Sequence, residues 1–409
     1  MKTERYLPID KHILLEQQIA DNHFSEKDSV AFKKLFSILE HYFHYEGFHL
    51  IQNIKSNYAA FDPDKSEKDR QLFHSKSNIS VLNKTLHKVL ENANYQQIQQ
   101  EVIDAAIHNS DLVGLELKIN FQDFEEYKVF ARGLNKTTEK VKNWFFWEKE
   151  VELEYYDFVF IYIRYKEQKH FENQSIKLEK LPFSPGTIIL KIFKKVPQND
   201  LDTIFPNATP RMSMKDKLLL WIPGLVGGIS LLSTKVIPPI IAIYSAYKTG
   251  EILNLNNSKT SLVQGLVALG VLGMYLFRQY SNYISKKIKF AKMLSDSLYF
   301  KNLGNNSGVF PLLVDTSEDE EIKETILAYS FLNKSSEPLT SSELDAQIEA
   351  WLATTFQIKS DFDIEDALYK LKKIGLGTES NGKWSVVPLS EAHAKVDDLW
   401  DGIFSSKND

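Results

Sequence analysis

Two long apolar runs, separated by a short polar gap, constrain the fold of this chain more than any other feature. The first reads LLLWIPGLVGGISLLSTKVIPPIIAIYSAY over residues 218–247, and the second reads SLVQGLVALGVLGMYLFRQY over 261–280. A bilayer core of about 30 Å needs roughly 20 apolar residues in helical form. The sequence therefore predicts a two-span transmembrane hairpin, with spans near 220–246 and 261–279. A helical hairpin buried inside a soluble protein is the alternative.

The charges around the two runs predict an orientation. The flanks at 211–217 and 278–292 are rich in Lys and Arg, whereas the gap at 248–260 contains two Lys and no Arg. Short loops rich in Lys and Arg stay in the cytoplasm, so both flanks are expected there. Lys235, the one charge within the first run, is expected as an intramembrane polar residue in the outer half of the bilayer or beside a polar cavity.

The amino-acid composition and the opening residues limit the cellular compartments that are expected for this protein. The chain has 409 residues and no cysteine, which excludes disulfides, thiolate catalysis and Cys-ligated zinc and fits a reducing compartment. The opening residues, MKTERYLPIDKH, lack the apolar core of a signal peptide. The expected location is the inner (cytoplasmic) membrane, with both termini cytoplasmic, or a mitochondrial membrane in a eukaryote. Beside the lipid bilayer, a protein partner or self-association is expected.

The remaining periodicities predict α+β structure on either side of the runs. Helical spacing covers 28–57, 81–90 and 95–107, and period two begins near 115. From Phe158 to Ile163 the strand is apolar on both faces, as in a central strand. After the runs come helices at 320–332, 341–355 and 362–374, a Gly-rich hairpin at 375–388 and a helix at 390–404, which is the order of a winged helix.

The predicted fold class is thus an α+β membrane protein with three parts. They are an N-terminal helical and small antiparallel-sheet domain (1–210), a transmembrane hairpin with basic flanks (211–292) and a C-terminal winged-helix-like domain (293–409).

Several segments carry a resemblance to a known family. They include HYFHYEGFH (41–49), YAAFDPD (58–64), ILKIFKKVPQNDLDTIFPNA (189–208), LYFKNLGNNSGVF (298–310), FDIEDALYKLKKIGLG (362–377) and DDLWDGIF (397–404). In these the chain resembles the uncharacterised membrane proteins typified by transmembrane protein 143. The resemblance implies two spans at the apolar runs and supplies no catalytic residue.

Two clusters are candidate sites, and no cofactor is predicted. His41, His44 and His49 are the densest group of potential metal ligands, although helical spacing places His49 about 140° from His44, and capping or packing histidines are the favoured interpretation. Trp144, Phe145, Phe146 and Trp147, flanked by Lys, are typical of a membrane interface; packing under a helix is the alternative. Gly377 to Lys383 has most of a phosphate-loop spacing, but Trp384 replaces the Ser or Thr, so a turn between strands is expected. The Asp62-Pro63-Asp64 run also indicates a turn.

The leading functional hypothesis is a membrane-anchored, non-enzymatic scaffold or sensor whose C-terminal module binds protein. An oligomeric channel or transport component and a membrane-bound, metal-dependent enzyme are the alternatives. Nucleic acid is not an expected partner, because residues 315–409 contain twenty Asp and Glu against nine Lys and no Arg. The resulting negative electrostatic field repels the phosphate groups of a nucleic acid.

Overall fold

The protein is described by a computed structural model that covers residues 4–22, 24–109, 115–142, 148–212 and 255–405, with isolated positions between 233 and 248. Contacts divide the chain into two compact units. The first contains residues 1–100, 121–198 and 301–409, and the second contains 101–120 and 199–300. The N-terminal and C-terminal segments therefore share one unit.

The helices and strands have the following bounds. The helices are α1 (Lys11–Asp21), α2 (Glu26–Tyr58), α3 (Glu67–Phe73), α4 (Ile79–Asn92), α5 (Gln100–Asn109), α6 (Gln168–Asn173), α7 (Leu255–Lys301), α8 (Val309–Lys334), α9 (Ser341–Thr355), α10 (Ile364–Lys373) and α11 (Leu389–Ser405). The strands are β1 (Gln96–Gln97), β2 (Leu115–Lys118), β3 (Phe124–Lys142), β4 (Glu148–Tyr165), β5 (Ile188–Pro197), β6 (Thr209–Met212), β7 (Asn302–Asn305), β8 (Gly377–Ser380) and β9 (Lys383–Val386).

The mixed α+β class and the antiparallel sheet are confirmed. Within the described residues, the first unit has a five-stranded sheet in the order β1-β3-β4-β5-β7, with antiparallel pairing throughout. β4 lies at its centre, and Val159 to Ile163 are buried, as the apolar pattern on both faces predicts. The second unit, considered by itself, contains the antiparallel pair β2 and β6 and the helix α7.

Two long helices connect the hydrophobic clusters of the first unit. One cluster packs the sheet against α2, α4 and the first turns of α8; the other joins α1, α2, α8, α9, α10 and α11. α2 has 33 residues and α8 has 26, so at 1.5 Å per residue they are about 50 Å and 39 Å long. Each helix contributes one end to the sheet cluster and the other end to the helical cluster.

α2 and α8 approach each other closely at Gly47, between the two clusters. A Cβ atom built on Gly47 would lie 2.0 Å from Glu318 Oε1 and 2.7 Å from Val314 Cγ1. The first of these atoms ends a flexible side chain, but the second belongs to a buried valine of the sheet cluster. The crossing therefore depends on the absence of a side chain at this position.

Replacing Gly47 by Ala is expected to lower the free energy of unfolding by about 1–3 kcal/mol, because the added methyl overpacks this crossing. The matched control is Gly402→Ala in α11, where an added Cβ atom would have no other atom within 4 Å. That change should be neutral or stabilise the helix by up to about 1 kcal/mol. Urea denaturation of both variants measures the difference, and equal stability of the two would contradict the close approach.

The prediction of a two-span transmembrane hairpin is wrong. In the part of the chain that the structure describes, no helix is long and apolar enough to cross a membrane. The second run was expected to be a separate span, 261–279, between a polar gap and a basic flank. It instead lies inside α7, a single helix of 47 residues that also includes Lys259, Arg278 and the basic segment to Lys292. Apolar length permits a span but does not establish one.

The other predictions tied to a membrane fall outside the described residues or remain untested. Lys235 and most of the first run lie outside them, as do Trp144, Phe145, Phe146 and Trp147. The described strands on either side of that aromatic segment, β3 and β4, pair with each other. The bilayer as a partner and the inner-membrane location rested on the hairpin and stay predictions.

Candidate functional site

The middle of α8 places four charged side chains inside the first unit. Glu320, Glu321, Lys323 and Glu324 occupy just over one turn, and none is more than 8% exposed. Their neighbours on the helix include the core residues Ile322 and Ile326. Every residue from Glu320 to Ser330 is buried, so this part of α8 has no solvated face on which to place its charges. Each charge must find a partner within the protein.

Glu320 joins α8 to the sheet and to the N-terminal segment. Its carboxylate accepts hydrogen bonds from Lys323 Nζ at 2.7 Å and from Asn94 Nδ2 at 3.2 Å, and Arg132 Nη1 on β3 lies 3.4 Å away. Lys323 Nζ also donates to the backbone oxygen of Leu7 at 2.6 Å. These contacts form the first half of a buried charge network around α8. This half connects three segments that are distant in sequence.

Aromatic rings surround the guanidinium of Arg132. Its central carbon lies 4.4 Å from the ring centre of Tyr6, 4.7 Å from that of Phe158 and 5.1 Å from that of Tyr95. Rings within about 6 Å attract a cation through their quadrupole. The rings and Glu320 together compensate the burial of this arginine.

Lys370 on α10 is the centre of the second half of the network. Its Nζ lies 2.5 Å from Asp366, 2.6 Å from Glu324 and 3.1 Å from Glu321. An ammonium group has three donors, so these three carboxylates can take all of them. Burial by itself would lower the pKa of Lys370, but Glu324, Glu321 and Asp366 raise it above its ordinary value. Lys370 therefore remains protonated and fastens α10 to α8.

The carboxylates of the whole network outnumber its cations. The two halves together contain four carboxylates and three cations: Glu320, Glu321, Glu324 and Asp366, with Arg132, Lys323 and Lys370. Burial raises the pKa of Glu324 to about 7, against the lowering effect of Lys370, and it also raises the pKa of Glu321. Amides from Asn94 and Asn92 donate to Glu324 and Glu321, respectively. The network thus holds two carboxyls, Glu324 and Glu321, whose protonated form is favoured by burial.

A pocket of about 320 Å³ opens directly onto Lys370 and Glu321. We call it the four-helix pocket, because α2, α4, α8 and α10 form its walls. Its volume is at the lower end of the roughly 300–1,000 Å³ that small-molecule sites occupy. It is lined by apolar and aromatic side chains as well as by charged ones: Phe43, Tyr45, Leu50, Val314, Tyr369 and Ile374, with Glu46, Lys88, Glu318, Glu321, Asp366, Lys370 and Lys373.

The charges lining the four-helix pocket are only partly paired with one another. Lys373 forms an ion pair with Glu46, and the ammonium group of Lys370 is bound by its three carboxylates. Glu318 forms a hydrogen bond with His44 Nδ1 at 3.0 Å, and burial raises the pKa of Glu318. Among the described residues, Lys88 has no ion-pair partner. The pocket therefore combines an acidic inner wall with a free cation on α4.

The structure gives the three candidate histidines different surroundings. His41 Nδ1 lies 2.7 Å from the backbone oxygen of Ser37 on its own helix. His44 contacts Glu318, and His49 lines the four-helix pocket and packs edge-on against Tyr45. In the ranges that the structure describes, no group of three or more His, Asp or Glu is arranged to hold a metal ion.

Both predicted turns are confirmed. β8 and β9 pair as a hairpin, and Asn381 and Gly382 between them have φ of 51° and 74°, as a type I′ turn requires. Asp62 accepts a hydrogen bond from the backbone N–H of Asp64 at 3.0 Å, within the turn after α2.

Sequence reasoning missed the buried network. It considered the charges of residues 315–409 only as a net acidic field. One signal was present: Lys370 lies between Ala367 and Leu371, which both belong to the buried face of α10. A lysine within an apolar stripe indicates a paired, buried cation.

Comparison with known proteins adds little about function. A family described as a protein of unknown function (DUF3754) matches residues 156–308, from within β4 to the residue before α8. The match covers less than half of the chain and does not include Lys370. No solved structure matches the chain. The resemblance to the family of transmembrane protein 143 stays a prediction.

Proposed function

We propose that this protein is a non-enzymatic sensor or scaffold in which the four-helix pocket binds a small zwitterion and the C-terminal module binds a protein. The observation that carries the proposal is the position of Lys370 and Glu321. Both residues line the pocket, and the ion pair between them also attaches α10 to α8. A ligand in contact with them changes the electrostatic balance that holds α10.

The lining of the pocket supports the choice of a zwitterion. A ligand ammonium group fits the acidic inner wall, where Glu318 and Asp366 are half-buried. A ligand carboxylate fits Lys88 on the opposite helix. The rings and aliphatic side chains of Phe43, Tyr45 and others leave space for an apolar group. A free amino acid combines these three features.

The C-terminal module supports a protein partner over nucleic acid. In a winged helix the third helix commonly enters a DNA groove, and its counterpart here is α10. The ammonium group of Lys370 on α10 is paired inside the protein with three carboxylates. The N-cap and the first turn of α10 carry the acidic residues Asp363 and Glu365. The module presents an acidic surface, which repels a phosphate backbone.

Millimolar L-amino acids are expected to raise the melting temperature of the full-length protein, because a ligand that binds only the folded state stabilises it by RT ln(1 + [L]/Kd). Lys88→Gln should raise the apparent Kd for the amino acid about tenfold and so reduce the shift in melting temperature. A tenfold change in Kd corresponds to about 1.4 kcal/mol, roughly one charge-assisted contact. The matched control is Lys84→Gln, an exposed position one turn earlier on α4. Differential scanning fluorimetry across an amino-acid panel measures both effects.

Two further probes test the charge requirement. Putrescine has only ammonium groups and succinate only carboxylates, so each should shift the melting temperature less than the best amino acid. No saturable shift with any amino acid would refute the sensor proposal. Equal loss of binding in Lys84→Gln and Lys88→Gln would place the ligand outside the four-helix pocket.

A further inference from the structure

The first residues of the described chain lie in a groove and make the contacts of a bound peptide. We define the arm as Glu4 to Leu7, and the arm groove as the surface formed by β3, the segment 360–363 and the middle of α8. We propose that the arm groove is a peptide-recognition surface, which the arm occupies within its own chain. Its partner is an extended protein segment with an acidic residue, an aromatic residue two positions later and an aliphatic residue after that.

The acidic position is recognised by backbone amides. The carboxylate of Glu4 accepts hydrogen bonds from the N–H of Gly133 at 2.8 Å and from the N–H of Leu134 at 3.0 Å. Gly133 has φ of +72°, and a Cβ atom there would lie 2.5 Å from Asp157 Oδ2. The local strand geometry therefore requires glycine, and it exposes two adjacent donors to one anion. Capture of a carboxylate by successive amides is a recurrent mode of peptide recognition.

The main chain of the arm is held as a short added strand. Glu4 forms a parallel bridge with Ser360, and its carbonyl oxygen accepts from the N–H of Asp361 and the hydroxyl of Ser360, each at 3.0 Å. These bonds do not depend on the identity of the side chains. Main-chain pairing supplies affinity in this kind of recognition, and side-chain pockets supply specificity.

Two side-chain positions provide that specificity. The ring of Tyr6 covers the buried guanidinium of Arg132 at 4.4 Å. Leu7 is fully buried in the helical cluster, and Lys323 Nζ fixes its carbonyl oxygen at 2.6 Å. Arg5, between Glu4 and Tyr6, is half exposed and pairs with Asp363, so the second position tolerates variation. The arm groove is therefore expected to recognise four consecutive residues: an acidic residue, any residue, an aromatic residue and an aliphatic residue.

Competition within the chain sets the conditions for a partner. The arm is joined to α1 by only Pro8 to Asp10, so it re-binds at an effective concentration of roughly millimolar. A partner segment must therefore bind more tightly than the arm, or the arm must first be loosened. Both the arm and the groove are parts of the first unit, and this inference does not depend on the four-helix pocket.

The test uses the full-length protein and a fluorescent peptide with the sequence of residues 1–9. The peptide should bind a loosened variant, Glu4→Gln with Leu7→Ala, at least about tenfold more tightly than it binds wild type, because the cis competitor is weakened. A peptide with Leu7→Ala should bind the loosened variant at least about tenfold more weakly, whereas an Arg5→Gln peptide should bind nearly as well as the parent. Fluorescence anisotropy measures each affinity, and circular dichroism verifies the fold of the variant.

Three results would overturn the proposal: no saturable binding to the folded loosened variant, equal affinity for variant and wild type, or equal binding of the Leu7→Ala and Arg5→Gln peptides. If the loosened variant does not fold, a peptide with a benzophenone in place of Tyr6 is cross-linked to the wild-type protein at high concentration. Labelling near Arg132 and Phe158 supports the arm groove, and labelling elsewhere rejects it.

Discussion

Replacing Lys370 by Met is expected to lower the free energy of unfolding by about 3–5 kcal/mol, the usual cost of leaving buried charge without its partner. Lys370 is nearly inaccessible and shares its ammonium group among Glu321, Glu324 and Asp366. Met has a similar length and fills the space, so the variant removes the charge with little change in packing. The loss should appear as a lower urea midpoint for the full-length protein.

The control for this experiment is Lys372→Met on the same helix. The side chain of Lys372 is 63% exposed, and Glu379 is its nearest acidic partner at 3.8 Å. An exposed pair of this kind contributes about 0–1 kcal/mol. A double variant, Lys370→Met with Glu324→Leu, should recover part of the loss, because it removes a stranded carboxylate together with its counter-ion. Equal effects of Lys370→Met and Lys372→Met would contradict the buried network.

Glu324→Gln is expected to gain stability relative to wild type as the pH rises from about 4.5 to about 8. Burial raises the pKa of Glu324 to about 7 in the folded protein, from an ordinary value of 4.5. The folded state therefore binds the proton more tightly than the unfolded state does. The stability of the wild type that depends on this group is present below the unfolded pKa and is lost as the pH rises through 7. Gln resembles the protonated form at every pH.

The size of this effect follows from the shift. A difference of about 2.5 in pKa corresponds to about 3 kcal/mol of stability across that range. Urea denaturation of both proteins at several pH values gives the difference curve, whose slope rather than its offset tests the prediction. Other carboxyls contribute to both curves and cancel in the difference, apart from those coupled to Glu324.

The capping residue Glu343 provides a control of opposite sign. It accepts hydrogen bonds from the backbone N–H and the hydroxyl of Thr340, and these bonds lower its pKa. Its contribution to stability is present at neutral pH and is lost as the pH falls through its folded pKa. Glu343→Gln should therefore lose stability relative to wild type as the pH rises. A flat difference curve for Glu324→Gln would show that the pKa of this carboxyl does not differ between the folded and unfolded states.

Much of the local structure was available from sequence, because it depends on interactions between near neighbours. The spacing of apolar residues predicted α2 and α9 to within two residues of their observed ends. The capping box of Thr340 and Glu343 and the hairpin turn at Asn381 and Gly382 are encoded in four or fewer residues. The central position of β4 followed from its two apolar faces.

The burial of charge was decided by tertiary structure. Lys370 and Glu324 are 46 residues apart, and Arg132 and Glu320 are 188 apart. An acidic turn in a helix looks the same in sequence whether its charged face is solvated or covered by another helix. Only the packing of α10, β3 and the arm around α8 determines which of the two occurs.

The apolar runs show the same limit. Their length and composition are properties of the sequence, and they satisfied the requirement for a membrane span. The ends of the helix that contains the second run, at Leu255 and Lys301, depend on backbone hydrogen bonding that continues through charged residues on both sides. Local composition determined which residues are apolar, helical or turn-forming, because those preferences act over a few neighbours. The tertiary structure decided which charges are buried and which segments are joined, because those outcomes depend on residues distant in the chain.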